Sequence, residues 1–169
     1  MTIRAVGAGD AEPLRALRLR ALRLRALADA PDAFGAAIED EMAEPTAHWA
    51  QLARRSEEAD TIVIYVVVDG DRWVGMAAGR WYERERGIAG LWSMWVEPAM
   101  RGRRLGERLV AEVQAWAAAR GGRFLRLGVV TAADDPTPFY ERLGFVRTGE
   151  LGTLRRDPSR GFHYLVRPI

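Results

Sequence analysis

The sequence predicts a single α/β domain with a mixed β-sheet and helices on both faces of it. Three observations carry that expectation. Residues 61–68, TIVIYVVV, are dense in β-branched side chains and run into Asp69-Gly70, a hairpin signal, so neighbouring strands return antiparallel there. Residues 91–106, LWSMWVEPAMRGRRLG, pass from an apolar run through a proline and a basic, glycine-bearing turn into an amphipathic segment, ERLVAEVQAWAAARGG. Phe124 to Val130 is then apolar enough to lie inside a sheet, and a strand, helix, strand order closes as a parallel pair through a right-handed crossover.

Taken in order, Thr2 to Val6 alternates and is short, a first strand. Gly7-Ala8-Gly9 turns the chain, Asp10 is a good helix N-cap, and Glu12 suits the first turn. In PLRALRLRALRLRALADA the unit R-A-L-R-L occurs at 15–19 and again at 20–24. A five-residue spacing keeps no single face of a 3.6-residue helix, so the segment is expected either to be covered on several sides or to break in two. Its Leu, Ala and Arg content favours a helix. Ala30-Pro31-Asp32 ends it, and Ile38 to Arg55 reads as a second helical region interrupted near Pro45.

Trp73 to Trp81 is the return strand of the hairpin, Glu83 to Gly87 a charged turn, and Ala89 to Val96 the strand that leads into the basic turn. In the next segment Leu105, Leu109, Val113 and Trp116 share one helical face, and Gly121-Gly122 stops the helix. Pro136 to Leu143 is a short helix with Gly144 as its left-handed stop. Phe145 to Arg147 and Phe162 to Arg167 are the last strands, joined by a polar loop through Asp157-Pro158-Ser159.

The composition narrows the chemistry. The 169 residues fit one domain, and with half of them apolar they can bury a core. There is no cysteine, which removes disulfides, thiolate metal sites and a cysteine nucleophile, and with only His48 and His163 no metal is expected. Every Lys or Arg position is arginine, so a Schiff-base or P-loop lysine is absent, and there is no asparagine. A formal net charge of +2 is not a nucleic-acid footprint. The N-terminus lacks an apolar signal core and no run is long enough to span a bilayer, so no membrane association and a cytoplasmic location are expected.

The turn at 101–106 is where a ligand is expected. The first N–H groups of a helix have no intrahelical partner, and the helix dipole adds roughly half a positive charge there. Arg101, Gly102, Arg103 and Arg104 stand where those donors converge, and Gly102 and Gly106 let phosphates approach the backbone. The pattern V-x-P-x-x-R-G-x-x-x-G from Val96 to Gly106, followed by a helix, a strand and F-Y-E-R-L-G-F from Phe139 to Phe145, resembles the GNAT superfamily of N-acetyltransferases. That family's signature Q/R-x-x-G-x-G/A binds the pyrophosphate of acetyl-coenzyme A. Arg101 fills the Q/R place and Gly106 the last place, while Arg104 stands where the middle glycine is usual.

The resemblance implies a sheet splayed at its centre, with acetyl-CoA bound by Met94, Trp95, Val96, Arg101, Gly102, Arg103, Arg104, Leu105, Gly106 and Glu107, and no metal. Met94, Trp95 and Val96 would pair with the pantetheine arm through their backbone, and a backbone N–H near Val96 would polarise the thioester oxygen. Tyr140 matches the family's general acid, which protonates the departing thiolate. The family's coenzyme-binding asparagine is replaced by Ala133, with Asp134 as the nearest substitute. Phe34, in the loop between the first two helices, matches a wall of the acceptor site. A general base is not fixed: Glu83, Glu85 and Glu97 are candidates, and Ser93 can hold a water. Trp73, Trp81, Trp92 and Trp95 flank the cleft without revealing which rings face it.

The implied activity is acetyl transfer to a primary amine of a small molecule or peptide by direct attack, with a homodimer as the family's habit. Two other readings stay open at this point: an acyl-CoA-binding sensor or partner subunit on the same fold, and an RNA-binding protein that uses the arginines of 15–25.

Overall fold

The elements in chain order are β1 (Thr2–Ala5), α1 (Leu14–Asp29), α2 (Ile38–Ala43), α3 (Thr46–Glu58), β2 (Ile62–Asp69), β3 (Arg72–Glu83), β4 (Ile88–Val96), α4 (Leu105–Ala118), β5 (Phe124–Val130), α5 (Thr137–Arg142), β6 (Val146–Thr153) and β7 (Gly161–Pro168). They come from a computed structural model that describes residues 1–7, 14–131, 135–154 and 157–169. Asp10, Glu12, Ala133 and Asp134 lie outside the described residues. The seven strands form one mixed sheet in the order β1-β2-β3-β4-β5-β7-β6, with β4 and β5 parallel and the other neighbours antiparallel.

Each face of the sheet has its own core. On one, α4 lays Leu105, Leu109, Val113 and Trp116 against Val63, Val67, Ala77, Leu91, Leu125 and Leu127, the helical stripe expected from the sequence. On the other, α1 and α3 cover Val66, Met76 and Ala78 with Leu19, Leu22 and Trp49.

The leucine–arginine repeat behaves differently from either expectation. It is one unbroken helix, and it buries a single stripe, Arg15, Ala16, Leu19, Leu22, Ala26 and Leu27, while Leu14 and Leu17 stay about half exposed. Packing chose one face and left the surplus leucines in water. Arg15 is tolerated in that stripe because Glu57 accepts from it at 2.7 Å and the Gly7 carbonyl at 3.1 Å.

Ser56 ties the helical layer to the sheet. It is fully buried, and its Oγ accepts from the Ile64 N–H at 2.8 Å and lies 3.4 Å from the Val6 carbonyl. Ser56→Ala would strand the Ile64 N–H away from water, so a loss of about 1–3 kcal/mol in unfolding free energy is expected by urea titration.

β6 is longer than Phe145 to Arg147, the strand that the sequence suggests. It runs on through Thr-Gly-Glu-Leu-Gly-Thr as an edge strand with mostly exposed side chains, so no apolar alternation marks it. Its pairing with β7 is interrupted between Arg147 and Leu151, where Gly149 takes φ 82°. Phe145 itself precedes the strand and is buried. Among the described residues no helix is long and apolar enough to cross a membrane.

Candidate active site

The sheet opens at its centre. β4 and β5 pair only through Ile88, Ala89 and Gly90 with Phe124, Leu125 and Arg126. Beyond Gly90, β4 pairs only with β3, and β5 beyond Arg126 pairs only with β7. A bulge sits on the parted stretch: Met76 faces Trp95 and Ala78 faces Trp92, so Ser93 and Met94 together oppose Ala77. Ser93, within that two-against-one insertion, adopts φ 52°, a left-handed conformation that serine takes at a cost. The extra residue bends β4 away from β5. Backbone groups of Leu91 to Val96 on the β5 side therefore face a cleft of ≈ 1590 Å³ rather than a strand.

At the end of β4 the chain makes a short turn at Pro98–Met100 and enters α4. The Arg108 N–H donates to the Arg104 carbonyl at 3.2 Å, so the N–H groups of Leu105, Gly106 and Glu107 come before the first intrahelical bond. These donors lie at the cleft's end beside Gly102, which has φ 75° and nothing within 4 Å of where a Cβ would be, and such a turn could cradle an anion.

The individual side chains divide into those that serve the cradle and those that hold its frame. Arg101 does not project a free guanidinium. Its Nε donates to the Val96 carbonyl at 3.0 Å and its Nη2 to Asp29 Oδ2 at 2.6 Å, and the same Asp29 oxygen accepts from Trp95 Nε1 at 2.9 Å. The strand end, the turn and the C-terminus of α1 are thus locked together. Trp95 is buried in the core packed under α1 and also borders the cleft.

Arg103 is exposed and is not among the cleft-lining residues. Arg104, at the place where the family usually has glycine, keeps a glycine-like backbone with φ 58° and ψ 18°, and its side chain swings out to Glu107 at 2.9 Å. Arg104 and Glu107 both border the cleft. Arg104→Gly is expected to raise the unfolding free energy by up to about 1 kcal/mol, because the left-handed strain outweighs an exposed ion pair. Thermal and urea melts check this, and a loss of that size would mean that the side chain does more than reach Glu107.

Gly106 has a packing reason to be glycine. A Cβ there would lie 2.8 Å from Met94 Cε and 3.1 Å from Phe139 Cζ, so α4 comes close to β4 and α5 only because the side chain is missing. Leu105 is buried in the core beneath.

Tyr140 stands in the cleft wall on α5, held edge-on between Phe139 at 5.1 Å and Phe145 at 5.8 Å between ring centroids. Among the described residues its hydroxyl has no hydrogen-bond partner, and burial pushes its pKa well above the usual phenol value. The N-terminus of α5 is pinned beside it. Asp135 Oδ1 accepts from the Thr137 N–H at 2.9 Å, and the Thr137 hydroxyl meets His163 Nε2 at 2.9 Å. That hydrogen bonding from Thr137 holds the Asp135 carboxyl below its ordinary range.

None of the three candidate bases lines the cleft. Glu97 is held by Arg25 at 2.9 Å and Arg72 at 3.0 Å, Glu83 by Arg86 at 2.9 Å, and Glu85 lies in the exposed turn at Arg84–Arg86. Ser93 does face it, with its Oγ 3.4 Å from Arg23 Nη1. Phe34 is buried beneath Arg23, whose guanidinium lies 4.8 Å from the ring centre. Of the four tryptophans, Trp73 and Trp95 are core and Trp81 packs on Trp116, while Trp92 is 43% exposed in the cleft wall. Sequence reasoning did not single out Arg126, Tyr82, Phe162 and Tyr164, which also line the cleft. The signal was present in Arg126, a charge inside the otherwise apolar strand FLRLGVV.

A family model described as the acetyltransferase (GNAT) family matches residues 24–145, from the middle of α1 to Phe145. The chain belongs to the GNAT acetyltransferase family. The sheet splayed at its centre, which the family resemblance implied, is part of this GNAT protein's fold, and acetyl transfer is the activity class that membership brings.

No curated protein matches the sequence. Solved structures do, over the whole chain. An aminoglycoside 6'-N-acetyltransferase complexed with coenzyme A aligns with a TM-score of 0.73 and 18% identity, covering 99% of this chain and 97% of that one. A GNAT-family acetyltransferase from Streptococcus pneumoniae gives 0.77 and 21%, over 99% and 98%. A ribosomal-protein-alanine N-acetyltransferase from Brucella melitensis gives 0.72 and 20%, over 100% of both. At these identities the likeness is one of fold, and the acceptors named for those proteins are their own.

Proposed function

We propose that this protein is an acetyl-CoA-dependent N-acetyltransferase that moves an acetyl group to a primary amine by direct attack in a ternary complex. The observation that carries the proposal is the cleft between the parted strands, which runs from an open helix N-terminus to a buried phenol. In this reading the pyrophosphate takes the N–H groups at 102–107, and the pantetheine arm lies along Met94, Trp95 and Val96 as an added strand. Its thioester then sits near the bulge, where a backbone N–H polarises the carbonyl. The similarity to a structure complexed with coenzyme A supports this placement. No metal has a part in it.

The chemistry needs no enzyme nucleophile. The neutral amine adds to the carbonyl carbon, the C–S bond breaks as the carbonyl re-forms, and the proton lost by nitrogen equals the one that sulfur gains. Tyr140 keeps its proton across the neutral range because burial disfavours the phenolate. Full transfer from such a phenol to an ordinary thiolate is uphill by more than a unit of pKa. Tyr140 therefore acts by donating a hydrogen bond to the sulfur as charge builds there and keeps its own proton, while the proton lost by nitrogen passes to water and the departing thiolate takes one from water.

The reading is tested by following free thiol from acetyl-CoA with and without a panel of primary amines. Amine-dependent release, with the acetylated amine found by mass spectrometry, is the expected result. Tight acetyl-CoA binding with no amine able to raise thiol release would favour an acyl-CoA-binding partner on the same fold.

A further inference from the structure

We infer that the acceptor is an amine that carries a carboxylate at its far end, seated on Arg126 beneath Trp92; the inference rests on the acetyltransferase reading above. Arg126 stands at the point where the sheet parts, as the last β5 residue to pair with β4, opposite Gly90. It is nine-tenths buried and lines the cleft. Its guanidinium is laid on two rings, 3.7 Å from the centre of Tyr164 and 4.6 Å from that of Tyr82. One carboxylate oxygen, Glu150 Oε2, already accepts from Nη2 at 2.7 Å, while the buried Nε–H has no acceptor among the described residues. A guanidinium is a fork made for both oxygens of a carboxylate, and this fork is half filled.

Glu150 is suited to give way. Its side chain is 60% exposed, and it lies within the stretch of β6 where pairing with β7 lapses. Trp92 brings a second donor to Gly90, the residue paired with Arg126, because its Nε1 lies where a Cβ on Gly90 would be. Indole N–H is a donor only.

The remaining charges around the cleft point the same way. Among the described residues, the cleft's carboxylates already face arginines: Asp29 meets Arg101, Asp32 meets Arg160, Glu107 meets Arg104, and Asp135 lies 4.0 Å from Arg147. Three aromatic faces around Arg126 are likewise covered, with Arg80 4.3 Å from the ring centre of Trp92 and Arg126 on the two tyrosines. A polycationic amine meets arginines here. A carboxylate meets donors.

Position sets the spacing of the two groups. From Gly90 to the bulge at Ser93 is three residues of strand, roughly 10 Å. An amine that attacks at the bulge while its carboxylate rests on Arg126 needs a chain of several bonds between them.

Nα-acetyl-lysine and its amide form a matched pair, with the same free amine and with or without the distant carboxylate. Thiol release from acetyl-CoA is measured for both, and for spermidine, with the native protein, Arg126→Gln and Glu150→Gln. In parallel, calorimetry reads the binding of the two lysine derivatives to protein saturated with coenzyme A. The native protein is expected to favour the carboxylate at least about tenfold in kcat/KM and in affinity, the scale of a charge-assisted hydrogen bond. Arg126→Gln should bring the two compounds within about twofold without moving the KM for acetyl-CoA, and Glu150→Gln should strengthen carboxylate binding by emptying its seat. Equal use of acid and amide, or a preference for spermidine, overturns the inference. If Arg126→Gln does not fold, the exposed Glu150→Gln decides, and weaker carboxylate binding in it is contrary. Should no amine release thiol while acetyl-CoA binds, the acetylation reading fails, and calorimetry still decides whether the carboxylate seat exists.

Discussion

Tyr140→Phe is expected to lower kcat for amine acetylation by about 10²–10³-fold while acetyl-CoA affinity stays within about twofold. The substitution removes one oxygen and keeps the ring that packs between Phe139 and Phe145, so folding and the cleft wall should survive. What disappears is the donor to the departing sulfur. If Tyr140 only fills space, the variant turns over like the native protein.

The pH dependence follows from the same burial. The Tyr140 pKa is raised above the ordinary phenol value, so the proton is present throughout the range below pH ~10. No limb of the native rate profile between pH 6 and 9 should belong to this group. A rising limb there belongs to the amine, which must be neutral to attack, and it should persist in Tyr140→Phe at reduced height.

The second large effect is expected at Gly106. A valine there would push branched carbons into Met94 and Phe139, which already approach to 2.8 and 3.1 Å of a bare Cβ. Met94 has a flexible thioether and can yield, but Phe139 is fixed beside Tyr140 on α5. The start of α4 must then move off β4, and the N–H groups that form the cradle move with it. Gly106→Val should weaken acetyl-CoA binding at least tenfold and cost about 1–3 kcal/mol of stability, as overpacking does. Calorimetry and urea unfolding separate the two. A stable variant that binds normally would show that the helix N-terminus is not where the coenzyme is held.

Much of this site was legible before any coordinates, because its parts are local in sequence. Apolar strand, basic glycine turn and amphipathic helix follow one another from Leu91 to Ala118, and F-Y-E-R-L-G-F sets Tyr140 on its short helix. The bulge left a weaker trace, since serine at φ 52° gives no warning in the sequence that glycine would. The leucine–arginine repeat misled because periodicity alone cannot say which of several equivalent faces tertiary packing will bury; the sheet selected the Leu19–Leu22 side.

β6 was short-changed for a related reason. Its side chains face water, so strand pairing with β7 holds it without an apolar pattern to announce it. Asp29 and Arg126 were silent for another. Asp29 becomes the clasp of Trp95 and Arg101 only when residues about 70 apart in the chain meet, and Arg126 becomes a cleft residue only because β4 leaves β5 at that register. Roles assembled from distant segments leave no local pattern.

We propose the gap between β4 and β5, with α4 at one end, as the acetyl-CoA site. Isothermal calorimetry of acetyl-CoA into the purified native protein tests it most directly. Saturable binding with one coenzyme per chain is expected, weakened by salt because the helix N-terminus would meet a pyrophosphate. A titration with no saturable heat at coenzyme concentrations up to the millimolar range, in a protein shown to be folded, would contradict it.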